Sequence, residues 1–144
     1  MTFRLHDLIP SLQVAVGPVI LVSGVGLLLL TMTNRLGRVI DRARELAVEL
    51  RGEARNRDRT VRQIEILMTR ARVLRQAITL SIVSVLLAAM LVIVLFVAAV
   101  LALEVGIAVA ALFIGCMTAL IGALIALLRD INLSLAALKL ELSD

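Results

Sequence analysis

Residues 77–103 read AITLSIVSVLLAAMLVIVLFVAAVLAL and residues 105–128 read VGIAVAALFIGCMTALIGALIALL, and the only charge from one end to the other is Glu104. Each run exceeds the roughly 20 apolar residues that cross about 30 Å of hydrocarbon as a helix. Lipid offers no partners to free backbone groups, so both runs are expected to be helical. The break between them rests on Glu104 and Gly106 alone, which makes the connection short.

Moving towards the N-terminus, a third charge-free window lies between Asp7 and Arg35, with its span at residues 14–33, VAVGPVILVSGVGLLLLTMT. The start of the chain carries one Arg balanced by Asp7, and the dense positive charge follows the apolar run. That order is the reverse of a secretory signal peptide, so the expectation is a retained anchor. Residues 1–13 are then an outer interfacial segment. With 61% hydrophobic residues in 144, a soluble core of this size would leave much apolar surface in water, and the bilayer absorbs the excess.

Arginine sets the expected orientation. Residues 34–76 hold Arg35, Arg38, Arg42, Arg44, Arg51, Arg55, Arg57, Arg59, Arg62, Arg70, Arg72 and Arg75. By the positive-inside rule this segment and the C-terminus face the cytoplasm of a bacterial inner membrane, with the N-terminus and Glu104 outside. The same charge could serve nucleic acid, but its position directly between two spans favours topology, and no nucleic-acid partner is expected. The sequence has no Trp or Tyr for an interface belt. Arginine stems must supply much of that anchoring.

Within the basic segment the apolar residues Leu36, Val39, Ile40, Ala43, Leu46, Ala47 and Leu50 recur three and four apart. After Asn56-Arg57-Asp58 a second run follows: Val61, Ile64, Leu67, Met68, Ala71, Leu74 and Ile78. Both are single apolar helix faces continuing into spans without proline. The spacing predicts two helices that leave the membrane as an antiparallel cytoplasmic hairpin, turning at 52–58 with Asp58 as N-cap, its heptad-like seam suited to a coiled coil. The acids Asp41, Glu45, Glu49 and Glu53 fall four apart and are expected opposite Arg72, Arg70, Arg62 and Arg59. Such pairs contribute about 0–1 kcal/mol each when exposed, so their role would be register. With so many arginines alongside, the acidic stripe is read as ion-pair partners and not as metal ligands. Arg35, Arg38, Arg72 and Arg75 lie nearest the bilayer, where contact with anionic headgroups competes with simple topology signalling.

The first span contains Gly17-Pro18 and Ser23-Gly24-Val25-Gly26, and ends on Thr31, Thr33 and Asn34. Pro18 is expected to kink or start the helix. The small residues permit close helix packing. The sharper alternative is an oligomeric pore lined by this helix, with Arg35 and Arg38 at an anion-attracting mouth. After Arg129, Ile131, Leu135, Leu138 and Leu142 share one face, so the third helix is expected to continue into the cytoplasm as an amphipathic segment over 129–144. Leu133 and Leu140 fall off that stripe, a hint of self-association.

The span cores carry no ionisable residue, which counts against a proton-coupled transporter. There is no phosphate loop, no HExxH and no cysteine pair. Ser81 and Ser84 have no histidine within reach of a triad, His6 is the sole histidine, and Cys116 reads as a small buried thiol. No catalytic residue, cofactor or metal is expected, and the chain is not read as an enzyme.

Thr33-Asn34-Arg35-Leu36-Gly37-Arg38-Val39-Ile40-Asp41-Arg42-Ala43-Arg44, directly after a Ser-Gly-x-Gly span, resembles the bacterial membrane-protein family known as domain of unknown function 2721. Arg70-Ala71-Arg72-Val73-Leu74-Arg75-Gln76-Ala77-Ile78 and Leu128-Arg129-Asp130-Ile131 fit the same pattern. The resemblance covers nearly the whole chain and implies a three-span bacterial membrane protein. It brings no activity and no catalytic residues. The fold expected is an all-α membrane protein with three transmembrane helices, the first two extended into a cytoplasmic antiparallel hairpin. The function expected is that of a self-associating scaffold or accessory subunit in contact with membrane lipids, docking a protein partner through the hairpin. An oligomeric channel and an anionic-lipid-binding regulator are the alternatives.

Overall fold

In the computed structural model, residues 5–52 and 57–142 are described; side chains are described within these ranges outside 5–8, 11–12 and 136–142. The described residues form three helices and no strand: α1 (Leu5–Gly52), α2 (Arg57–Leu101) and α3 (Gly106–Leu142). Each is long and apolar enough to cross a membrane. At 1.5 Å per residue a 20-residue window already spans the hydrocarbon, so each helix has length to spare beyond it. The chain is thus a multi-pass membrane protein by length and composition.

Three local expectations change. Pro18 does not start the first helix: α1 runs without interruption from Leu5 through Pro10 and Pro18. Residues from Leu5 onward therefore belong to the same helix as the span, not to a separate interfacial turn. Asp58 falls inside the first turn of α2 and is not an N-cap; there its carboxylate favours the positive end of the helix dipole. Residues 53–56 of the turn expected at 52–58, with Glu53 and Arg55, lie outside the described residues, as do the side chains of His6, Leu138, Leu140 and Leu142.

The connection from α2 to α3 has a readable cause. Ala102 adopts φ 51°, the left-handed region, and Leu103 N–H donates to Ala98 C=O at 3.1 Å. That is the six-to-one bond of a Schellman C-cap, which ties off an orphan carbonyl at the end of α2. Glycine is the usual residue at that position. Val109 N–H then donates to Val105 C=O at 3.0 Å as the first bond of α3.

The chain divides into two compact units. One takes the first part of α1, through Leu29, with Leu80–Ile121; the other takes Leu30–Thr79 with the chain from Gly122 onward. In both, the buried positions keep a seven-residue step. Val25, Met32, Val39 and Leu46 are buried on α1, Leu74, Ala77, Ser81, Ser84, Ala88 and Leu91 on α2, and Cys116, Ala123 and Asp130 on α3. On α2 the intervals alternate between three and four. This is the seam of coiled-coil packing, in which each helix keeps one narrow stripe against its neighbours.

In the first unit Ser81, Ser84, Ala88 and Cys116 make much of that seam small, which lets helix backbones approach. Ser84 and Cys116 close it reciprocally. Ser84 Oγ donates to Cys116 C=O at 3.0 Å, Cys116 Sγ donates to Ser84 C=O at 3.2 Å, and Oγ and Sγ lie 3.4 Å apart. Cys116 is buried, as its surroundings in the sequence suggest, and it is also half of the polar link between α2 and α3. A Cβ added at Gly115 would stand 3.4 Å from Leu87 Cδ1, so α3 lies close against α2 here.

Candidate functional site

The second unit holds the only charged residue that is fully buried among those described. Asp130 has no exposed surface, on the same stripe as Cys116 and Ala123. Each earlier position on that stripe is apolar or small, so an acid there needs a partner from another helix. It has two. Arg70 of α2 donates from Nε to Asp130 Oδ1 at 3.2 Å. Arg35 of α1 places Nη2 3.0 Å from Oδ2. All three helices therefore meet at one carboxylate.

The two arms of this cluster are not equivalent. The Arg70 contact is a hydrogen bond, and its side chain is 17% exposed. The Arg35 contact is an ion pair out of hydrogen-bonding direction, so Oδ2 accepts no hydrogen bond among the described residues. The Arg35 side chain is 28% exposed and keeps access to water. One anion serves two cations, so the cluster keeps a positive charge. A carboxylate taken fully out of water demands such pairing, because an isolated buried charge is unfavourable by many kcal/mol. The geometry suits a clasp that fixes three helices in register.

The hairpin ion pairs expected from the acidic stripe are arranged differently. Arg70 pairs with Asp130 and not with Glu45, and Glu45 bonds Arg42 on its own helix at 3.0 Å. Asp41, Glu45 and Glu49 are exposed, as are Arg59, Arg62 and Arg72. Among the described residues no ion pair joins the α1 acids to the α2 arginines. The reason is rotational. α1 turns Ile40, Ala43, Arg44 and Ala47 towards Ile64, Leu67, Met68 and Ala71 of α2, and these line an apolar groove of about 260 Å³. Helical spacing puts Glu45 and Glu49 about half a turn away from that side and Asp41 about a third of a turn away.

The remaining candidates lie on open faces. Gly17, Ser23, Gly24, Gly26, Thr31, Thr33 and Asn34 are exposed and Pro18 is half-buried. A Cβ at Gly17, Gly24 or Gly26 would meet nothing within 4 Å, so these glycines do not serve close packing inside the chain. Arg38, Arg72 and Arg75 are exposed. Of the arginines expected near the bilayer, only Arg35 is drawn into the clasp.

Asp130 escaped the sequence reading as a site. The signal was present: it stands seven residues after Ala123 and fourteen after Cys116, an acid in register with small buried residues. Among the described residues no group of three His, Cys, Asp or Glu side chains comes together in a way that would hold a metal.

Comparison with curated proteins and with solved structures returned no match. The model of one family, described as protein of unknown function (DUF2721), matches residues 15–140. That match covers all three helices and every member of the Arg35–Asp130–Arg70 cluster, and the chain belongs to this family.

Proposed function

We propose that this chain is a non-enzymatic scaffold or accessory subunit of the bacterial inner membrane that docks a protein partner through a cytoplasmic hairpin formed by the ends of α1 and α2. The observation that carries the reading is the clasp. Arg35, Arg70 and Asp130 tie the three helices together within a few residues of the ends of the apolar windows. Beyond it α1 and α2 continue to Gly52 and from Arg57. Helical arms held at one end by a buried ion cluster form a stiff platform, and stiffness lowers the ordering entropy of docking. The arginine content of 34–76 supports a cytoplasmic location.

The test is to shorten the hairpin while sparing Arg35 and Arg70, by deleting residues 43–66 and closing with a Gly-Asn turn. Partner capture by in-cell crosslinking should vanish while the protein stays folded in the membrane. Capture that survives the deletion would overturn the reading.

Self-association has its own support in the open glycines of α1, whose apolar window is the least buried of the three. A channel around α1 is the second reading, favoured by the exposed Ser23, Thr33 and Asn34. With Arg35 committed to Asp130, Arg38 is the residue left to form its mouth. Ion flux in liposomes that responds to Arg38→Gln would support a channel, and flux equal to that of empty vesicles would exclude it. Contact of Arg38, Arg72 and Arg75 with anionic lipid predicts vesicle binding that weakens with salt.

A further inference from the structure

The groove between α1 and α2 is unfilled by any described residue, and its chemistry is specific. Its apolar lining includes Val39, Ala43, Ala47, Ile64, Leu67 and Ala71. The three alanines leave room between the helices, and Ile40, Ala47 and Met68 are exposed along it. Its volume of about 260 Å³ is below the roughly 300–1,000 Å³ of pockets that enclose small molecules. A groove of that size takes the anchoring side chains of something laid along it.

The banks are basic. Arg44 lines the groove itself. Arg51 lies four residues on from Ala47, Arg72 four on from Met68 and Arg75 four on from Ala71, so each shares a face with a lining residue. All four are exposed. Glu65, three residues before Met68, and Asp41, three before Arg44, share those faces, so the four arginines leave the banks with a net positive charge; Glu45 and Glu49 are turned to the far side. An occupant must therefore be apolar along one line and negatively charged beside it.

We propose that this groove binds an amphipathic helix of a protein partner, apolar on its buried face and carrying Asp or Glu on both flanks. The proposal rests on the docking reading above and gives the partner its chemistry. Helix-in-groove recognition uses apolar anchors at i, i+3, i+4 and i+7, which a long alanine-lined groove accepts. A second copy is the poorer occupant. Groove against groove would bring Arg44 and Arg72 against their own copies. Between Asp41 and Gly52 the α1 acidic face offers Val48 as its one large exposed apolar side chain.

The test uses the full chain in nanodiscs of zwitterionic lipid and two labelled synthetic helices. Both have leucines at i, i+3, i+4 and i+7; one carries glutamates on its flanks and the other lysines. Fluorescence anisotropy should show the glutamate helix binding at least tenfold tighter than the lysine helix, with affinity falling as salt rises. Ala47→Phe, which puts a bulky ring into the groove lining, should weaken it at least tenfold. The exposed pair Arg44→Glu with Arg72→Glu should reverse the preference, and Glu49→Lys on the far side should leave it unchanged. Equal binding of the two helices would overturn the proposal, as would indifference to Ala47→Phe. So would loss of glutamate-helix binding when the nanodisc contains anionic lipid, because the basic banks would then belong to the membrane surface. Any of these would leave the docking reading to the hairpin deletion, whose readout does not depend on the groove.

Discussion

Replacing Asp130 with Asn keeps the shape of the clasp and removes its only anion. The carboxylate is fully buried, with Arg70 Nε at 3.2 Å and Arg35 Nη2 at 3.0 Å. In Asp130→Asn two guanidiniums would face a neutral amide whose NH2 must point at one of them. Breaking a buried pair by removing one partner is destabilising by about 3–5 kcal/mol. The arginines here are 28% and 17% exposed, so water relieves part of their loss. The lower end, about 3 kcal/mol, is the expected value. For a chain of this length that corresponds to roughly 10 °C in melting temperature. The assay is thermal unfolding in a mild detergent, followed by size-exclusion of the soluble fraction. Arg70→Ala should be more damaging than Arg35→Ala, because Arg70 makes the hydrogen bond and is the less exposed. Replacing all three, as Arg35→Met, Arg70→Met and Asp130→Leu, should recover most of the loss, since an apolar cluster of similar volume has no charge to desolvate. A change within about 0.5 kcal/mol for Asp130→Asn, the range of ordinary surface substitutions, would refute the assignment of the clasp.

Other expectations follow from the same packing. Ala102→Gly should stabilise the chain by about 1 kcal/mol, because glycine relieves the left-handed backbone at the end of α2; thermal unfolding reads it. Gly115→Leu should destabilise by about 1–3 kcal/mol by overpacking against Leu87. Gly24→Leu with Gly26→Leu should leave the melting temperature of the detergent-solubilised monomer unchanged, and a fall in native mass in nanodiscs would place a second copy on that face. Cys116 should resist a membrane-permeant maleimide until the chain unfolds. Ser84→Ala should cost about 0.6 kcal/mol, the average for a hydrogen bond between membrane helices.

The helices were legible because charge and hydrocarbon exclude each other: Glu104 separates two apolar windows in sequence and falls between α2 and α3 in the fold. The continuity of the helices into the basic segment was legible from the apolar spacing of Val39, Leu46, Ile64 and Leu74. The ion pairs were not. Spacing says which side chains share a helix face and is silent on which neighbour that face meets. Asp41, Glu45 and Glu49 share a face, but the rotation of α1 is set by Val39 and Leu46, and it points that face away from α2. The partner of Arg70 is 60 residues away, beyond the reach of any local pattern. Its trace was the seven-residue register of Cys116, Ala123 and Asp130. Pro18 stands inside α1; proline disfavours a helix interior, and membrane helices tolerate it where neighbouring groups satisfy the freed carbonyl.

In the proposed docking platform the arms of α1 and α2 have a groove side and a far side. A photo-crosslinking residue is placed in cells at Val61 or Met68, on the groove side, and at Glu45 or Glu49, on the far side. One discrete adduct with a protein partner is expected from Val61 and Met68, and none from Glu45 and Glu49. Adducts of equal yield from both sides, or none from any of the four positions, would contradict the proposed platform.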